Sequence, residues 1–272
     1  MGQSERMRIP ALRDGAAPRR LPLVRGRRPL KRWRYAGVYG PDVMLCAGIV
    51  RVGGVPQCFW AVWDRGAGVL RERTRMRLGT VALPDGAVRV RDGDVAVDLA
   101  LAPAGEPVEV VSPHGGGWTW TRKAPVAARG SVVLGGRAIA VDAPALVDDS
   151  AGYHARETAW DWCAGAGRAD DGRALMWNLV AGVHDAPSGS ERTVWIDGAP
   201  HEVPPVAFTP ALDAVGGLRF SAEAARRRHD RVAFGLILSE YRQPFGTFSG
   251  TLPGGIALAE GQGVMERHRA RW

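Results

Sequence analysis

Short alternations of apolar and polar residues, cut every eight to twelve residues by a glycine-bearing turn, run along most of this 272-residue chain. A chain that reverses so often has little room for long helices and closes up as antiparallel sandwiches or barrels. Val88 and Val90 run into Asp92-Gly93, and Val95, Val97, Leu99 and Leu101 follow. Val132-Val133-Leu134, Gly135-Gly136, then Ile139 and Val141 make a second hairpin, and Val194 and Ile196 before Asp197-Gly198 mark a third turn. Val232, Phe234, Leu236 and Leu238 alternate in the same way. Only Ser221–His229 reads as a short helix, with Ser221 as its N-cap. The 36 Gly and 19 Pro suit many turns, and they follow no collagen period.

The chain also repeats itself. Cys46-Ala47-Gly48, Arg51 and Trp60 recur as Cys163-Ala164-Gly165, Arg168 and Trp177, all at an offset of 117 residues. That spacing predicts a duplicated β unit of about 120 residues, enough for an eight-stranded barrel that holds one small ligand. Asp142–Ser150, rich in Asp and Pro, reads as the connector. The expected organisation is a basic extended arm over 1–28, one barrel over 29–145 and a second over 150–272.

The net charge of +8 is concentrated at the start. Residues 1–34 carry eleven Lys and Arg against Glu5 and Asp14, and the remainder is close to neutral. Such an arm can contact an acidic partner or a membrane surface. No helix-turn-helix, zinc finger or aromatic RNP strand accompanies it, so nucleic acid is not an expected partner. No apolar run reaches eighteen residues, so no transmembrane segment is expected. Three Cys make no disulfide framework, and a cytoplasmic setting is expected.

The richest polar-aromatic stretch is Gly152–Trp162. On a strand, His154, Arg156, Thr158, Trp160 and Trp162 share one face, and Tyr153, Glu157 and Asp161 the other. Either a ligand pocket or a barrel strand with structural indoles would use such a sequence. In the first reading His154 or Glu157 is an acid or base, and the Trp faces enclose an apolar ligand. Trp177-Asn178 forms a second cluster, in which a buried Asn178 needs hydrogen-bond partners from protein or ligand. Glu240 ends an apolar strand face, where burial would raise its pKa and suit it to acid catalysis, or an arginine would pair it. Tyr241 and Arg242 follow it as candidate ligand contacts. No zinc, P-loop, dinucleotide or nucleophile-elbow motif is present, so no cofactor or metal is expected.

The blocks Pro29–Tyr39, Trp118–Lys123, Gly152–Trp162, Trp177–Val180, Pro244–Gly250 and Gly263–Glu266 resemble the bacterial family of domain of unknown function (DUF) 2804, over nearly the whole chain. More distantly the pattern is similar to the carotenoid hydratase, tocopherol cyclase and lipocalin-like Diels–Alderase group. That resemblance implies an all-β fold of two tandem lipocalin-like antiparallel β-barrels with few short helices. It also implies an apolar terpenoid, polyene or polyketide-like ligand and a cofactor-independent hydration, cyclisation or isomerisation. On this expectation His154, Glu157 or Glu240 supplies the proton, and Trp160, Trp162 and Trp177 face a developing cation. A non-catalytic carrier of the same shape is the alternative, and an interaction module acting through the basic arm is a third.

Overall fold

The computed structural model describes residues 21–232 and 237–271, and among these every regular element is a strand. A small hairpin of β1 (Val24–Arg25) and β2 (Arg28–Pro29) precedes the first large sheet. That sheet contains β3 (Lys31–Tyr39), β4 (Val43–Val52), β5 (Val55–Asp64), β6 (Val69–Arg75), β7 (Val81–Ala82), β8 (Ala87–Asp92), β9 (Val95–Pro103), β10 (Val108–His114), β11 (Gly117–Leu134) and β12 (Arg137–Gly152). The second contains β13 (Glu157–Ala169), β14 (Ala174–Ala181), β15 (Thr193–Ile196), β16 (Ala199–Glu202), β17 (Ala214–Val215), β18 (Leu218–Val232), β19 (Ile237–Leu252) and β20 (Ile256–Arg271).

Both sheets are antiparallel and follow one plan. The first runs β6-β5-β4-β3-β12-β11-β9-β8-β7, with β10 also on β11, and the second runs β16-β15-β14-β13-β20-β19-β18-β17. In each, the first long strand pairs with the last, β3 with β12 and β13 with β20. The first sheet curls until β7 meets β4 and β5. The chain is therefore all-β, with two tandem lipocalin-like sheets. The three predicted hairpins form as β8–β9, β11–β12 and β15–β16. At the last of these turns Asp197 (φ 49°) and Gly198 (φ 84°) both lie in the left-handed region, as a two-residue hairpin turn requires.

Each sheet wraps its own apolar core. Val38, Leu45, Trp60, Val97, Leu99 and Ala145 belong to the first, and Trp177, Leu179, Leu218, Phe248 and Met265 to the second. A third cluster joins the two sheets through their opposite faces, with Tyr35, Met44, Trp63 and Leu146 against Trp162, Met176, Phe245 and Val264. The period of two explains this double burial. On β3, Ala36 and Val38 enter the core while Tyr35 and Tyr39 enter the seam between sheets. On β13, Cys163 enters the core while Trp162, Ala164 and Ala166 enter the seam.

Three expectations change. Ser221–His229 is not a helix but part of β18, paired with β19 over almost its full length. Tertiary pairing outweighs a weak local helical preference there. Asp142–Ser150 is not a connector but the middle of β12. Its polar residues are paired across the sheet, Asp149 with Arg34 and Asp148 with Lys123. Pro144 lies one residue beyond the ladder with β3, where a missing N–H costs little. The 117-residue repeat, finally, falls on β4–β5 and β13–β14, whereas pairing with the last strand makes β3 the counterpart of β13. Motif and topology are one strand out of phase. Of the expected arm over residues 1–28, residues 1–20 lie outside the described residues, as do Phe234 and Leu236, while its end forms the β1–β2 hairpin. None of the described segments is a helix long and apolar enough to cross a membrane.

Candidate functional site

A cavity of about 420 Å³ opens in the seam between the two sheets, lined by residues of both. Each sheet spends its inner face on its own core, and the cavity lies against the outer faces.

Aromatic rings from both sheets form much of that wall. Trp33 of β3 stacks on Trp160 of β13 with centroids 6.3 Å apart and planes inclined by 16°. Tyr35 meets Trp162 edge-on at 5.7 Å. Arg226 of β18 places its guanidinium 4.1 Å from the Phe59 centroid and 5.0 Å from that of Tyr241. It also pairs with Glu72 at 3.1 Å, so it ties the sheets together.

Two polar centres interrupt the aromatic wall. The first is Glu266 on β20. Its Oε1 accepts from Trp160 Nε1 at 2.8 Å, and its Oε2 from Tyr241 Oη at 2.8 Å and from Gln243 Nε2 at 3.0 Å. Burial holds the Glu266 carboxyl above its ordinary range, although the Tyr241 and Trp160 donors pull the other way. Two residues on, His268 lies 4.3 Å from the Trp160 ring and shares a 2.9 Å hydrogen bond with Ser239 Oγ. Burial, with Lys31 and Arg226 nearby, pushes its pKa down to about 3, so its ring is neutral at ordinary pH.

The second centre gathers around Lys123 on β11. Its Nζ lies 2.5 Å from Asp148 and 3.5 Å from Glu191, all three being buried. Thr121 also donates to Asp148, at 3.4 Å. Burial, partly offset by Lys123, pushes Asp148 up to about 6. His184, also on the cavity wall, bonds Thr119 Oγ1 at 3.1 Å and Ser112 Oγ at 2.9 Å, which fastens the β14–β15 loop to the first sheet.

Of the residues singled out in the sequence, His154, Trp160, Trp162 and Tyr241 line this cavity. His154 lies in the short link between β12 and β13, 3% exposed and 5.2 Å from the Trp33 ring. Burial first, then Lys31, His114 and His184, depresses its pKa well below the ordinary value. Asn178 lies behind the wall, accepting from Trp162 Nε1 at 2.7 Å and donating to the Glu191 carbonyl at 2.8 Å.

The other five do not reach it. Glu157 is exposed on the face of β13 opposite Trp160. Glu240 is exposed on β19 and borders a shallow surface depression, since strand alternation sends Ser239 and Tyr241 inward instead. Arg242 shares the face of Glu240 and donates to the Ala211 carbonyl at 3.2 Å. Tyr153 packs edge-on to Trp118 in a separate cluster and donates to the Pro22 carbonyl at 2.8 Å. Trp177 is buried in the core of the second sheet.

Glu266, His268, Lys123, Asp148 and Glu191 went unselected in the sequence. One signal was available: the chain has only two lysines, Lys31 and Lys123, and both line the cavity. Another was the block Gly263–Glu266, which ends on the buried carboxylate.

Two curled antiparallel sheets with a polar-aromatic cavity at their seam define a tandem lipocalin-like β protein. The chain belongs to the family known as domain of unknown function DUF2804, whose model matches residues 88–272. Among curated proteins none matches it. An AttH candidate from Nitrosomonas europaea is similar in structure, with a TM-score of 0.53 and 17% identity over 88% of this chain and 91% of that one. Kievitone hydratase from Nectria haematococca is also similar, with a TM-score of 0.52 and 10% identity over 89% of this chain and 88% of that one. At these identities the likeness is one of fold. Among the described residues no group of three or more His, Cys, Asp or Glu is disposed to hold a metal ion.

Proposed function

We propose that the chain takes an apolar small molecule into the seam cavity and that Glu266 moves a proton on it. The observation that carries this reading is the Glu266 carboxyl itself, buried against Trp160 and Tyr241 on an aromatic wall. A carboxyl whose pKa is raised by burial is better suited to give up a proton to a ligand than one in water. The faces of Trp33, Trp160 and Trp162 suit a developing carbocation. In a hydration, the Glu266 proton would pass to one alkene carbon, water would add to the other, and the water proton would return to the carboxylate. Cyclisation or isomerisation would use the same proton, returned from carbon. The hydratase among the structural neighbours agrees with this chemistry.

A carrier without chemistry is the second reading. It is favoured by Glu266 already holding three protein donors, as a structural carboxylate would.

Mass spectrometry of the intact protein as purified, followed by recovery of the bound molecule after incubation in D2O, separates the two. Carbon-bound deuterium in the ligand, abolished by Glu266→Gln with binding retained, is the expected result. A ligand that stays unlabelled with the parent protein would leave the carrier reading standing.

A further inference from the structure

Two residues on the cavity wall, Glu191 and His154, carry buried polar atoms that no side chain bonds. Glu191 gives one oxygen to Lys123, but its Oε2, in a residue only 2% exposed, has no hydrogen-bond partner among the described residues. Neither ring nitrogen of His154 has a side-chain partner there either, although the Gly152 backbone interacts with the ring. Both residues line the same cavity. A buried acceptor of this kind left unmatched costs as much as a lost hydrogen bond or more, so such groups mark where a partner comes from outside the chain.

We infer that the seam cavity is built for a hydroxylated apolar molecule, not for a bare hydrocarbon, with Glu191 accepting from the ligand hydroxyl and His154 bonding a polar atom of the same ligand. The inference rests on the cavity being a ligand site, as proposed above, and goes further by naming the ligand class. The Lys123 centre supports the assignment. It holds one ammonium against two carboxylates, Asp148 and Glu191, so the balance favours an incoming donor over another acceptor. A neutral imidazole offers one donor and one acceptor, which a hydroxyl can match in either direction. Water could bond both groups, but it gains nothing from Trp33, Phe59, Trp160 and Val180 along the same wall. An organic molecule with an apolar body and a hydroxyl satisfies both kinds of surface.

The test is calorimetric titration of the full chain with 2-naphthol and with 2-methylnaphthalene, two probes of nearly equal size that differ in the hydroxyl. The parent protein is expected to bind the naphthol at least tenfold more tightly. Glu191→Gln and His154→Phe are each expected to shrink that preference while the methyl compound binds as before, with near-ultraviolet circular dichroism checking the fold. Equal affinities in the parent would overturn the inference and leave the apolar cavity standing. Binding of neither probe would overturn the cavity reading together with the inference. The parent comparison decides even where a variant does not fold.

Discussion

Trp160 and Glu266 sit diagonally across the β13–β20 ladder, where Trp160 faces His268 and Trp162 faces Glu266 directly. The diagonal lets the indole Nε1 reach Glu266 Oε1 at 2.8 Å while the ring still lies against Trp33. One side chain thus positions the carboxyl and forms part of the wall beside it.

Trp160→Phe keeps a ring on the wall and removes the donor. Glu266 then retains Tyr241 and Gln243 alone, and its pKa should climb further. Unfolding in urea is expected to show a loss of about 1–3 kcal/mol for the orphaned acceptor. If the cavity is catalytic, the basic limb of the pH–rate profile should move upward.

The neutral histidines give a pH dependence of definite sign. His268 and His184 are each pushed down to about 3, so the unfolded chain takes up their protons near pH 6.5 while the folded one does not. Stability should therefore fall as pH drops below about 6.5 towards 3. Asp148, raised to about 6, acts in the opposite sense as pH falls through 6 towards 4, and Glu266, also raised by burial, contributes with the same sign. Comparing one variant with the parent isolates a single residue. His268→Gln should lose less stability than the parent between pH 7.5 and 5.5, measured as the shift in urea midpoint.

Lys123→Met would leave Asp148 and Glu191 facing each other without their cation. Breaking a buried ion pair from one side costs about 3–5 kcal/mol, whereas replacing the whole group is far milder. The triple variant Lys123→Met, Asp148→Asn, Glu191→Gln should regain most of the denaturation midpoint that the single variant loses.

Gly165→Ala probes the core of the second sheet. A Cβ at Gly165 would meet the Trp177 ring and lie 2.6 Å from the Gln262 carbonyl oxygen. Neither neighbour has free space, so overpacking should cost about 1–3 kcal/mol in thermal or urea unfolding. Ligand binding in the seam, on the opposite face of β13, should persist in whatever fraction folds.

The strands and their hairpins were legible because turn chemistry is local, and Asp92-Gly93, Gly135-Gly136 and Asp197-Gly198 all lie at real reversals. The face shared by Thr158, Trp160 and Trp162 was legible for the same reason. The cavity was not. Its position follows from two sheets meeting back to back, and no local pattern distinguishes an outer face turned to solvent from one turned to a neighbour. Glu240 and Glu266 illustrate the difference. Both are carboxylates on adjacent strands, yet one is exposed and the other buried, because opposite pleats of the second sheet point to water and to the seam. Lys123 and Asp148, 25 positions apart, become partners only through the register of β11 with β12.

Placing the cavity wall on surfaces that neither inner core requires has an evolutionary corollary. Substitutions that retune what is recognised need not compete with those that keep each half folded. A lineage can drift in chemistry while its architecture is conserved, and relatives of one shape can come to treat quite different molecules.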